Sequence, residues 1–356
     1  MKKILIINPF GIGDVIFSMY LVEALRHHDP HYTIGFLCNE RTKELVRLNV
    51  SIDRTYVFNR DFFRRLWKKN PFLMLKELKA LLGLIRTENF DTVFDLSLGR
   101  EYSFFMMLAG IKRRIGFDFK GRGIFLTRKI KIDGYSQRPV AETQLSLLAI
   151  AGLNPQGDFL KIPIKASDNL AALVEKELRR RQFLDGSKII AVAPGGGRSW
   201  GENAIFKQWD ANRFAQILNR YAKNTRAKAL VIGDQAEEDV LEKTARLLEV
   251  PYFLVKNEPI EKVSAFLQFS EVLLCNDGGL LHLANALGVK TIAIFGPVDE
   301  KVYGPYDKNI GHEVLTEAVP CRPCYQKFHF PPCPYERRCL TELSTNKVLA
   351  ALEKIA

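Results

Sequence analysis

No apolar run in the chain approaches the about 20 residues that cross a bilayer, so a membrane-spanning helix is not expected. After Lys2 and Lys3 only Ile4 to Ile7 stand before Asn8-Pro9, too short a run for the core of a secretion signal. The start therefore reads as the first strand of a cytoplasmic protein. There is also no long basic tail, although the formal net charge is +12. The basic residues are scattered, with local clusters at Arg64-Arg65, Lys68-Lys69, Lys112-Arg113-Arg114 and Arg128 to Lys131. Such a balance points to anionic partners but not to a nucleic-acid arm. No aromatic–basic motif of a known nucleic-acid module occurs either. The first glycine turn, Gly11-Ile12-Gly13-Asp14, lacks what both common nucleotide motifs need. Ile16 stands where a dinucleotide fingerprint has its third glycine, and no Lys-Ser/Thr pair follows.

What is present is a globular composition, 47% hydrophobic and 26% charged, in a chain of 356 residues, enough for two domains. Both halves repeat one pattern. Lys3 to Ile7 is an apolar run ending in a turn, and Val15, Met19, Val22 and Leu25 follow at helical spacing. Thr33 to Leu37 and Thr92 to Leu96 read as buried strands, and Leu75, Leu78, Leu82 and Ile85 as one face of a helix. The pattern restarts at Ile189 to Ala193. Ala229 to Ile232, Tyr252 to Val255, Val272 to Cys275 and Thr291 to Phe295 are the strands expected after it. Strands alternating with helices argue for α/β domains with doubly wound parallel sheets. The expected domains are 1–165 and 166–340, with a linker near Lys161 to Asp168. A helix at 341–356 is expected to pack back on the first domain.

Three stretches carry candidate chemistry. Asp14 opens a helix after the first glycine turn, either as its N-cap or as a carboxylate held ready as a general base. In "APGGGRSWGENAIFKQWD", glycines after a strand turn backbone N–H groups toward an anion. Gly196 and Gly201 have Walker spacing, but Glu202 replaces the lysine. Lys207, just before Gln208-Trp209, is either solvated or set on a pyrophosphate. In "CNDGGLLHLANALG", Asp277-Gly278-Gly279 turns into a helix whose first N–H groups are free for an anion. His282 falls near the start of that helix, as a structural residue or as part of the site.

These stretches, with "RRIGFDFKGRG" and the closing "IFGPVDEKVYGPY", make the chain resemble glycosyltransferase family 9, the ADP-heptose:lipopolysaccharide heptosyltransferases. The resemblance runs from near residue 3 to near residue 306. It implies a GT-B fold, two Rossmann-like doubly wound domains facing a central cleft, and chemistry that needs no divalent metal. The first domain would take the acceptor, a phosphorylated lipid-linked inner-core glycan. The second would take an ADP-sugar. By resemblance Asp14 is the catalytic base, and Lys207 contacts the donor phosphates. Asp277, Gly278, Gly279 and His282 bind the diphosphate beside Gly196. Glu237, with Glu238 as the alternative, holds the ribose. Gly11, Gly13, Arg64, Arg113 and Arg122 are the acceptor-side candidates. Two departures stand out: Gly278 occupies a position that often carries a hydroxyl residue, and Gly195-Gly196-Gly197 is unbroken, with Ser199 two residues later.

Two further features lie outside that set. Arg60, Arg64 and Arg65 alternate with Phe62, Phe63 and Trp67, and Lys68 and Lys69 follow. This mixture suits a peripheral contact with the cytoplasmic face of an anionic inner membrane, or an ordinary helix whose aromatics face the core. Cys321-Arg-Pro-Cys324, Cys333 and Cys339 form a Pro-rich cluster expected to hold a structural zinc or iron, or else free thiols. Cys38 and Cys275, isolated in apolar segments, are expected as buried thiols. A sugar-nucleotide epimerase of GT-B shape, or a transferase of this family acting on a protein or another glycan, are the alternative functions.

Overall fold

A computed structural model describes residues 2–155 and 159–356, the side chains of Arg60, Asp61, Arg198, Ser199 and Glu202 excepted. The chain divides into two compact units, Met1–Pro163 and Ile164–Ala356. Each is built on one six-stranded, all-parallel sheet.

In the first unit the strands are β1 (Lys3–Ile7), β2 (Thr33–Cys38), β3 (Arg54–Val57), β4 (Thr92–Asp95), β5 (Arg113–Phe119) and β6 (Arg128–Ile132). Their order is β3-β2-β1-β4-β5-β6. The central strands are continuous apolar runs because helices cover both faces of the sheet. Ile4 to Ile7 and Ile34 to Cys38 are all buried. One face packs Leu5, Ile7, Leu37 and Val93 against Ile85, Phe90 and Met106.

The second unit holds β7 (Ile189–Ala193), β8 (Lys228–Gly233), β9 (Tyr252–Lys256), β10 (Val272–Asn276), β11 (Lys290–Ile294) and β12 (His312–Leu315). Their order is β12-β11-β10-β7-β8-β9. In both sheets the strand order reverses beside the first strand, between β1 and β4 and between β7 and β10. That switch point is where open α/β sheets bind ligands, outside the carboxyl ends of the strands.

The terminal helix, Thr345–Ile355, packs on the second unit. Ser344 caps it, and Val348, Leu349, Ala351 and Leu352 join Ile292, Phe214 and Ile217 in the core of the second unit. Its apolar face is spent there. Cys38 and Cys275 are buried in β2 and β10, and burial pushes the Cys38 thiol up to about 12.

Candidate functional site

In the second unit β7 and β10 run side by side, so the turns that follow them meet at the switch point. Asn276, the last residue of β10, ties them together. Its Nδ2 donates to the Pro194 and Gly195 carbonyls at 2.8 and 3.1 Å. Its Oδ1 accepts from the Trp209 amide at 3.0 Å. Three segments distant in sequence are fixed by one amide. Asp277 follows, with its own N–H on the Ile294 carbonyl of β11.

The glycines at this junction have separate reasons. A Cβ on Gly195 would stand 1.9 Å from Glu237 Oε1, and one on Gly196 would stand 2.6 Å from the Ala204 carbonyl. Glu237 is brought to the loop because its Oε1 accepts from Gly197 N–H at 2.8 Å. It also forms a capping box with Asp234 at the start of its own short helix. Glu238, the alternative, points to Lys256 instead. Gly278 is different: its backbone is extended (φ −179°), and a Cβ there would meet only ordinary contacts, at 3.9 Å.

Lys207 ends the loop, with its side chain buried. Its Nζ lies 2.7 Å from Asp277 Oδ2, the two side chains being 7% and 6% exposed. The same ammonium sits over the Trp200 ring, 4.8 Å from the centroid. The helix Gly279–Ala286 starts at Gly278 with no side-chain cap, so its first N–H groups face the turn. His282 lies inside that helix, buried. Burial lowers its pKa to about 4, with Asp277 opposing and Lys207 adding to the shift, so the ring is neutral at physiological pH. A cation, a helix N-terminus and glycine backbone at one sheet edge suit a diphosphate.

In the first unit the turn after β1 is built by two asparagines. Asn8 Nδ2 donates to the Asp14 carbonyl at 2.8 Å, and Asn39 Nδ2 donates to the Pro9 and Phe10 carbonyls at 2.8 and 2.5 Å. The helix Ile12–His28 has Gly11 at its N-cap, so Asp14 is not the cap. It is the third helical residue, half-buried beside Gly13 in the first turn. Across the switch point Asp95 closes β4, in register with Ile7. It is fully buried. Its Oδ1 accepts from Ser97 N–H at 3.0 Å, and burial raises its pKa to about 6.

The basic candidates separate. Arg122 follows β5 at the carboxyl end of the sheet, with its guanidinium over Phe119. Arg64 is exposed on the helix Arg60–Lys69, which follows β3 at that same end. Arg113 starts β5, in register with Thr92, so it lies at the opposite end from Asp14. There its Nη2 donates to the Ala151 carbonyl at 2.6 Å, which gives it a tertiary role. On the helix pair Arg60–Lys69 and Pro71–Glu88, Phe63 turns inward and stacks on Phe58 at 4.6 Å. Trp67 and Phe72 point outward, 60% and 83% exposed, among Arg64, Arg65, Lys68 and Lys69.

The four clustered cysteines are brought together: Cys321, Cys339 and Cys333 all lie near enough to Cys324 to act on its thiol. Among the described residues no group of three or more Cys, His, Asp or Glu side chains is arranged to hold a metal ion. Cys339 sits in the helix Arg338–Thr341, buried among Leu340, Leu343 and the terminal helix. Cys324 Sγ turns to the Cys321 carbonyl at 2.9 Å, while Cys333 Sγ accepts from Arg337 N–H. Burial, then the neighbouring Cys321, raises Cys324 to about 11, so it is held as a neutral thiol.

Sequence reasoning missed Asn8, Asn39 and Asn276, although Asn8 and Asn276 directly follow or end apolar strand runs. Their partners lie up to 82 residues away.

Comparison with known proteins sets this geometry in a family. Over 178 residues the chain is 27% identical to lipooligosaccharide heptosyltransferase 2 of Campylobacter jejuni, a match covering 48% of this chain. It spans about half of that relative's length, 52%. Lipopolysaccharide heptosyltransferase 1 of Pseudomonas aeruginosa is 22% identical, with 99% of this chain and 97% of the relative covered. The solved structure of Escherichia coli ADP-heptose lps heptosyltransferase II matches at a TM-score of 0.74 and 17% identity, over 100% of this chain and 98% of that one. This likeness shows a shared GT-B fold. Residues 79–330 match the model of glycosyltransferase family 9 (heptosyltransferase), most of the chain, and the chain belongs to that family.

Proposed function

We propose that the protein is an inverting glycosyltransferase that moves a heptose or related sugar from an ADP-sugar to a phosphorylated glycan of the lipopolysaccharide inner core. The observation that carries the reading is the junction of Lys207, the Gly195–Gly197 loop and the Gly279 helix start, joined by Asn276. Family membership and relatives named as heptosyltransferases support it.

In this reading the acceptor hydroxyl gives its proton to Asp14. Its oxygen attacks the anomeric carbon from the face opposite the diphosphate, and the bond to the diphosphate oxygen breaks. Negative charge grows on that leaving group. Lys207 and the backbone N–H groups at Gly278 and Gly279 stabilise it, as preorganised donors do. The chemistry then uses the chain's own charges and no divalent ion. Glu237 is set beside the glycine loop, where it accepts a ribose hydroxyl. Arg122 and Arg64 meet acceptor phosphate, and the Trp67–Phe72 surface rests on the cytoplasmic face of the inner membrane.

The deciding experiment is calorimetry of ADP, UDP, GDP and CMP and their sugars with the purified protein. Selective binding of ADP and ADP-heptose is expected. Selective UDP or GDP binding would change the donor, and isomerisation of a free nucleotide sugar without acceptor would favour an epimerase. Binding of no nucleotide would sink the reading.

A further inference from the structure

The Cys321–Cys339 segment touches the donor loop with rings, not with thiols. Trp200 lies with its centroid 4.7 Å from Tyr325 and 5.3 Å from Phe330. Phe206, on the other side of the same loop, lies 4.9 Å from Phe330. The backbone is tied as well: Arg337 Nη1 donates to the Ile205 carbonyl at 2.9 Å. The segment's other side is anchored on the exit of β11. Cys324 and Tyr325 N–H groups donate to the Pro297 carbonyl at 2.9 and 3.1 Å. Arg322 reaches the Gly296 carbonyl at 2.5 Å and Glu300 at 2.7 Å.

The segment is thus a bridge between the turn after β11 and the loop that carries Lys207. The ammonium of Lys207 has two neighbours that fix it: Asp277 by charge, and the Trp200 face by its quadrupole. A lysine stem has several rotatable bonds, so the Trp200 face adds to Asp277 in fixing where the charge rests. The Trp200 ring is itself immobilised only through Tyr325 and Phe330 among the ring contacts described.

We propose that residues 321–339 form an aromatic strap, in which Tyr325 and Phe330 clamp Trp200 and Trp200 positions Lys207 for a nucleoside diphosphate. Trp200 is a positioning residue, acting through Lys207. The proposal deepens the donor reading above and rests on it for the ligand.

The experiment uses the full chain with ADP as probe. Trp200→Leu keeps an apolar side chain but removes the quadrupole; Trp200→Phe keeps it. ADP affinity is expected to fall about tenfold in Trp200→Leu and by less than about threefold in Trp200→Phe. Equal affinity in the two variants would overturn the assignment, because simple space-filling would then suffice. A second measurement does not depend on ADP. Hydrogen exchange over residues 198–207 is expected to speed up by about tenfold or more in the Tyr325→Ala/Phe330→Ala variant. Unchanged exchange would overturn the strap, whatever binds. Wild-type protein that binds no ADP, with exchange still accelerated in the double variant, would sink the donor reading and leave the strap standing. Chelator treatment is expected to leave both readouts unchanged. Loss of ordering over 198–207 on chelation, restored by zinc, would replace the rings with a metal.

Discussion

Lys207 and Asp277 form an ion pair at 2.7 Å in which neither side chain is more than 7% exposed. The pair links the end of the loop after β7 to the first residue after β10. Burying both charges is costly, and their mutual attraction offsets that cost only while both are present. In the proposed function a bound diphosphate would share the lysine with Asp277, whose carboxylate holds the cation in the unliganded protein.

Removing the cation alone should therefore be worse for the fold than removing both charges. Lys207→Met is expected to destabilise by about 3–5 kcal/mol and to abolish ADP binding. Lys207→Met/Asp277→Leu should recover most of the stability and none of the binding. Urea unfolding and calorimetry on the two variants separate these effects. A double variant as unstable as the single one would show that the pair is not the coupled unit described.

Asp14 sits on the other unit, in the first turn of its helix. Asp14→Ala should lower transfer by about 100- to 10,000-fold, the range for a lost general base. ADP affinity should stay as in wild type. A variant that loses ADP binding would move Asp14 out of the role of base.

The glycines at the donor turns should not respond alike. At Gly195 an added Cβ would meet Glu237 Oε1 at 1.9 Å, so Gly195→Ala must displace Glu237 from Gly197 N–H. It is expected to weaken ADP binding and to lower the melting temperature. At Gly278 the backbone is extended and the space is open. Gly278→Thr should fold as wild type and bind ADP more tightly by about fivefold, one added hydrogen bond to phosphate. Weaker binding in Gly278→Thr would show that the phosphates do not approach this turn.

The outward face of the helix pair Arg60–Lys69 and Pro71–Glu88 gives a test of membrane contact. Each lysine or arginine near an anionic surface contributes about 1 kcal/mol, and buried apolar side chains add to this. Co-sedimentation with phosphatidylglycerol vesicles is expected, weakened by salt. Little is expected with phosphatidylcholine. Phe72→Ser/Leu75→Ser should reduce the anionic binding without touching ADP affinity. Equal sedimentation with both lipids would remove the basic cluster from the account.

Much of this was legible in the sequence, and the failures share a cause. Apolar runs such as Lys3 to Ile7 and Val272 to Cys275 announced the central strands, because strands buried on both faces have little else in them. Strands β3, β5, β6 and β12 were missed because polar residues break their runs. In β6, Arg128, Lys129 and Lys131 interleave with Ile130 and Ile132, so a basic cluster is in fact an edge strand. Local chemistry singled out the glycine turns, Lys207 and Asp277, which the structure brings to one junction. Asn276 was not, because an amide acquires its function only when β7 and β10 pair. Likewise, spacing cannot show that Cys339 ends beside an aliphatic core while Tyr325 and Phe330 reach the loop that carries Lys207.

Acidification should act on the two units in opposite directions through two buried groups. His282, in the second unit, has its pKa lowered from 6.5 to about 4 by burial. As pH falls the unfolded chain takes that proton first. The stability held by neutral His282 is thus full above about 6.5 and lost as pH falls toward 4, about 3 kcal/mol in all. Asp95, in the first unit, is raised from 3.8 to about 6, again mainly by burial. Its protonated form is the favoured one in the fold. Its contribution, also about 3 kcal/mol, is full below about 3.8 and lost as pH rises through 6. Between about pH 6.5 and 4, hydrogen exchange should therefore show protection falling in strands β7 and β10 and rising in β1 and β4. His282→Gln should flatten the first trend, and Asp95→Asn the second. If Asp95→Asn leaves the pH response of β1 and β4 as in wild type, a different group titrates at the carboxyl end of that sheet.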